Sequence, residues 1–111
     1  MINWPAIIKF SDDPELGYVV NQSAWDSDAE LRTFRYDESD WLIDSSGHVY
    51  SLMTTSSSGV LPQRTEKVMS LEEVLGLIKA HAAQGGSCCV AKLYAPTIDD
   101  AFVMLASLAE V

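Results

Sequence analysis

A chain of 111 residues and 12.2 kDa, with 16 Asp and Glu against 7 Lys and Arg, has the length of a single domain (1–111) and a formal charge of -9. At 48% hydrophobic and 21% charged residues it has enough apolar side chain for a core, which excludes disorder of the whole chain. The acidic excess repels phosphate backbones and anionic headgroups, so nucleic acid and membrane are poor partners and a basic protein or peptide is the favoured one.

Ala6-Ile7-Ile8-Lys9-Phe10 is short and β-branched, and it ends in the turn formers Ser11-Asp12-Asp13-Pro14. Gly17-Tyr18-Val19-Val20 has the same character, so the two runs predict an antiparallel hairpin with a loop of about five or six residues. Asn21 and Gln22 break the pattern. Ser27-Asp28-Ala29-Glu30 fits a capping box opening at most two helical turns, with Leu31 and Phe34 as the buried pair.

Trp41-Leu42-Ile43 and His48-Val49-Tyr50 flank Asp44-Ser45-Ser46-Gly47, a type I turn whose glycine takes the left-handed conformation of a bulge. This predicts a second hairpin with its return strand reaching about Met53. The polar tract Thr54-Thr55-Ser56-Ser57-Ser58-Gly59 predicts a mobile loop over 54–67, with Val60 and Leu61 as a brief extended island.

Ser70-Leu71-Glu72-Glu73 is a second capping box, and Met69 can staple onto Val74. The helix it opens places Leu71, Val74, Leu75, Ile78, His81 and Ala82 on one face and stops at Gly85-Gly86. The run Ser87–Tyr94 reads as a buried strand in which adjacent Cys88 and Cys89 are small core residues rather than a redox pair. Thr97 caps a last helix whose buried stripe is Ile98, Ala101, Phe102, Leu105, Leu108 and Ala109. The predicted fold is α+β: a single-layer, mostly antiparallel sheet of four to five strands with two main helices packed on one face.

Charge is concentrated. Between Asp12 and Asp44 there are ten acids and two bases, which is -8 of the total within 33 residues. Trp4, Trp25 and Trp41 lie in or beside this segment, and Tyr36 precedes Asp37-Glu38. Aromatic anchors ringed by carboxylates suit a basic protein, which makes Trp25, Asp26, Asp28, Glu30, Tyr36, Asp37, Glu38 and Asp40 the candidate partner-binding residues. Trp25, between polar neighbours, is expected exposed, and Trp41, alternating with Ile43, is expected in the core.

Catalytic signals are sparse. The histidines are His48, at a hairpin end, and His81, whose imidazolium suits the negative end of a helix dipole. Asp44 and His48, four apart across a tight turn, form an alternative site for a small ligand or a hydrolase. Asp26-x-Asp28-x-Glu30 alternates oxygen ligands like a calcium loop, but Leu31 replaces the turn glycine and Asp37 the bidentate glutamate. No cofactor and no metal site is expected, and the reading leans away from an enzyme. A third alternative is a homo-oligomer formed through a strand edge or a helix face. The start Met1-Ile2-Asn3-Trp4-Pro5 lacks the pattern of a secretory leader, and no apolar run reaches the roughly 18 residues of a membrane span, so a cytoplasmic protein is expected.

Trp4-Pro5-Ala6-Ile7-Ile8-Lys9 and Asp40-Trp41-Leu42-Ile43-Asp44-Ser45-Ser46-Gly47 together resemble a family of small uncharacterised gammaproteobacterial proteins, a domain of unknown function of about this size. The resemblance spans the whole chain. It implies a bacterial, single-domain, cytoplasmic protein without conventional enzyme motifs, and it brings no assigned activity, ligand or catalytic residue.

Overall fold

Antiparallel strands with alternating burial on both parities need cover on both faces, and the computed structural model, which describes residues 2–84 and 93–109, supplies it. The elements are β1 (Ala6–Phe10), β2 (Asp13–Val19), α1 (Gln22–Ser27), α2 (Ala29–Thr33), β3 (Trp41–Asp44), β4 (His48–Ser51), β5 (Thr55–Ser56), β6 (Gly59–Val60), β7 (Gln63–Val68), α3 (Leu71–Gln84) and α4 (Ile98–Ala109). Five strands form one antiparallel sheet in the order β2-β1-β3-β4-β7, and β5 pairs with β6 separately. The α+β class, the antiparallel sheet and the two main helices are as the sequence predicts.

Ile7 and Ile43 face α3 and α4, in a core with Val49, Val74, Ile78, Phe102 and Leu105. Ile8 and Leu42, their neighbours in sequence, face the opposite way into a second core with Trp25, Tyr36, Tyr50 and Val60. The sheet is therefore covered twice, by the long helices on one side and by α1, α2 and the β5–β6 hairpin on the other. The expected single helical layer omits this second cover because its helices are only six and five residues long.

The second hairpin forms as predicted: Ile43 pairs with Val49, Gly47 N–H donates to the Asp44 carbonyl at 2.9 Å, and Gly47 has φ 87°. Its return strand stops at Ser51 rather than Met53. The first hairpin is tighter than expected. Lys9 pairs with Leu16 but Phe10 with Asp13, so Pro14 and Glu15 bulge out instead of lengthening the turn. Glu15 N–H on the Asp13 side chain, at 2.9 Å, holds that bulge.

Three local expectations are corrected. Ser27 does not cap α2: its hydroxyl donates back to the Ser23 carbonyl at 2.8 Å, and Asp28 caps instead, accepting Leu31 N–H at 3.0 Å. Asn21 does not merely break a strand, since its side chain accepts Ala24 N–H at 2.8 Å and starts α1. The 54–67 tract is not without secondary structure, because β5, β6 and most of β7 lie in it and β7 pairs with β4. Polar composition hid that strand, whose residues are nearly all exposed. The Ser70/Glu73 box is reciprocal (3.0 and 3.2 Å), and those bonds hold the Glu73 carboxyl below its usual value. Thr97 caps α4 through Asp100 N–H at 3.1 Å. The predicted strand Ser87–Tyr94, with Cys88 and Cys89, lies in large part outside the described residues.

Candidate functional site

Where the β1–β2 turn meets the loop from α2 to β3, four carboxylates surround an aromatic cluster. Asp40, 6% exposed, ties the two segments together: one oxygen accepts Ser11 N–H at 2.7 Å and the other Asp37 N–H at 2.8 Å. Asp37 adds the Ser11 hydroxyl at 3.2 Å and Ser39 N–H at 2.9 Å. These bonds build the wall of a groove of about 430 Å³ lined by Phe10, Ser11, Asp12, Asp13, Phe34, Arg35, Asp37 and Asp40. A neighbouring depression of about 330 Å³ continues around the same turn past Pro14 to Leu77 and Ala80 of α3.

The groove's apolar wall is a ring cluster. Phe34 lies 4.8 Å from Tyr36 and 5.7 Å, edge-on, from Phe10, between centroids, and Phe10 stacks on Tyr36 at 6.3 Å. Tyr36 is buried and donates its hydroxyl to the Leu31 carbonyl at 2.8 Å. Burial, then the charges of Asp40 and Asp28, push its phenol up to about 12. Phe34 is 49% exposed. It falls just past the end of five-residue α2, so it cannot join Leu31 as the expected buried pair. An exposed ring beside Asp12, Asp13, Asp37 and Asp40, with Arg35 as the one base lining the groove, suits a cationic and partly apolar ligand.

The predicted partner-binding residues divide between places. Asp37 and Asp40 line this groove, buried Tyr36 lies behind it against Phe10 and Phe34, and exposed Glu38 stands beside it, its carbonyl accepting Trp41 Nε1–H at 3.1 Å. Asp28 and Glu30 border a separate shallow depression on α1 and α2, and Asp26 accepts the Gln22 amide at 2.9 Å. Trp25 is 3% exposed, contrary to expectation, because α1 turns it into the second core. Trp41 is half-buried rather than a core residue, with the Lys9 and Lys67 ammonium groups 5.0 and 4.1 Å from its ring centroid. The groove residues that sequence reasoning missed are Phe10, Ser11, Asp12, Asp13, Phe34 and Arg35. The shortness of α2 and the Asp12-Asp13-Pro14 turn are the signals that point to them.

The alternative pair is arranged for structure. Asp44 is fully buried, and one oxygen accepts Ser46 N–H (2.9 Å) and His48 N–H (3.1 Å) while the other accepts Asn3 N–H and the Tyr50 hydroxyl (both 3.1 Å). His48 Nδ1 stands 3.7 Å from that second oxygen, beyond hydrogen-bond reach. His81 accepts Leu16 N–H on Nδ1 at 2.9 Å, so it serves as a neutral acceptor and not as the expected imidazolium. Among the described residues, no group of three or more His, Cys, Asp or Glu can hold a metal ion, and no helix is long and apolar enough to cross a membrane.

An NMR structure of a protein from Shewanella amazonensis is similar to this chain, with a TM-score of 0.68 at 26% identity, covering 97% of this chain and 90% of that one. No curated protein matches. The model of the DUF4144 family, described as a protein structure with unknown function, matches residues 4–105. That span holds both sheet hairpins, the groove and most of both long helices, and on it the chain belongs to this family of uncharacterised proteins.

Proposed function

We propose that this chain is a non-enzymatic protein-binding module whose groove at the β1–β2 turn engages a basic segment of a partner, as an inhibitor or immunity-like protein does. The observation that carries this is half-exposed Phe34 set among Asp12, Asp13, Asp37 and Asp40. A large aromatic left in water beside unneutralised carboxylates gains most from a ligand that covers the ring and brings positive charge. Asp40 and Asp37 are held by backbone and hydroxyl donors, so this part of the negative field is preorganised.

Oligoarginine and oligolysine peptides test the reading by calorimetric titration. Binding is expected to weaken steeply with salt, since the Debye length is about 10 Å at 0.1 M. Asp12→Asn with Asp13→Asn, and separately Phe34→Ala, should each weaken it about tenfold. The Asn pair keeps an acceptor for Glu15 N–H. Binding that is indifferent to salt and to both variants would reject the proposal.

A further inference from the structure

Among the described residues, the two edges of the sheet are finished differently. On β2, α3 packs along the strand and His81 occupies the Leu16 N–H. On β7, β4 is the one paired neighbour among the described residues, and five of the six side chains are exposed, Val68 by 56%. An edge strand leaves a row of backbone donors and acceptors open to a further strand. We propose that β7 is a self-association strand, adding antiparallel to β7 of a second copy with the two-fold axis on Thr65.

The choice of partner and register follows from charge. With the axis on Thr65, Arg64 of each copy faces Glu66 of the other, Thr65 faces Thr65, and Pro62 faces Val68. Moving the axis to lie between Thr65 and Glu66 sets Arg64 against Lys67, and placing it on Glu66 or on Arg64 sets like charges against each other. One residue of slip also carries side chains to the wrong face. The Thr65 register therefore makes two opposite-charge pairs where those neighbours make like-charge ones. Arg64 already pairs across the other side of β7 with Tyr50, which fixes the face on which these charges lie. A contact between six-residue strands is small beside the roughly 1,200 Å² of stable complexes, so the dimer is weak and concentration-dependent.

Charge-swap complementation in sedimentation equilibrium tests this. Wild type should show monomer–dimer exchange, and Arg64→Glu or Glu66→Arg alone should weaken it at least tenfold by making both pairs like-charged. Mixing the two single variants should restore dimer, because every pair in the mixed species is again opposite, and so should the double variant Arg64→Glu/Glu66→Arg. The restored species also shows that the variants fold. A wild type that stays monomeric to about 1 mM overturns the proposal. So do single variants that dimerise as wild type does, or monomeric single variants whose mixture stays monomeric.

Discussion

Replacing Asp44 by Asn changes one atom in a buried side chain that accepts four hydrogen bonds. Both carboxylate oxygens accept two donors: Ser46 and His48 N–H on one, Asn3 N–H and the Tyr50 hydroxyl on the other. With its NH2 toward Ser46 and His48 the amide meets two N–H donors. Turned the other way it loses the Asn3 N–H, while the Tyr50 hydroxyl can rotate to accept, so at least one hydrogen bond to a charged acceptor is lost and the others weaken. At about 1.5 to 3 kcal/mol for such a bond the cost is at least about 1.5 to 3 kcal/mol, a substantial part of the 5 to 15 kcal/mol that stabilises a typical domain. Urea unfolding followed by tryptophan fluorescence should show a lowered midpoint with an unchanged slope. If the amide nitrogen settles on the Tyr50 side, Asp44→Asn with Tyr50→Phe should cost less than the sum of the single changes by about 1 kcal/mol. A loss below about 1 kcal/mol for Asp44→Asn would refute the view that this carboxylate is a structural hub joining the N-terminal segment to the β3–β4 hairpin.

Three further outcomes follow from the same geometry. The Tyr36 phenol is pushed from 10.0 up to about 12, so its contribution is complete below pH 10 and is lost as pH rises through 12. That loss is about 2 to 3 kcal/mol, and Tyr36→Phe should remove it from the alkaline limb of a stability–pH curve while costing about 1 kcal/mol at neutral pH. In Gly47→Ala the new Cβ would sit 2.5 Å from the Met69 carbonyl oxygen at φ 87°, and Met69 is itself held by its N–H on the Gly47 carbonyl at 2.8 Å. Thermal unfolding should show a loss of about 1 to 3 kcal/mol, and a change under about 0.5 would mean that the turn relaxes freely. His81→Leu should speed hydrogen exchange at the Leu16 amide, and unchanged protection there would show that the imidazole does not close that edge.

Local chemistry was legible in the residues wherever one short segment decides the outcome. Asp44-Ser45-Ser46-Gly47 carries its whole turn, and Ser70 with Glu73 its whole cap, so both were readable without tertiary context. Burial of single aromatics was not. Trp25 and Phe34 swap their expected environments because α1 and α2 together are too short to show a period, and because packing against Ile8 and Leu42 decides which ring turns inward. β7 was hidden for a related reason: an edge strand exposed on both faces has no apolar alternation to read. The groove combines residues of the β1–β2 turn with residues more than twenty positions later, joined by Asp40 through Ser11 N–H. The excess of acids between Asp12 and Asp44 signalled its charge but not which acids meet.

Amide shift mapping tests the central claim most directly. With oligoarginine added at low ionic strength, the largest perturbations are expected at Ser11, Asp12, Asp13, Phe34 and Asp37, fading together as salt is raised. Perturbations centred on Asp26, Asp28 and Glu30, or spread evenly over all exposed acids, would contradict the assignment of binding to this groove.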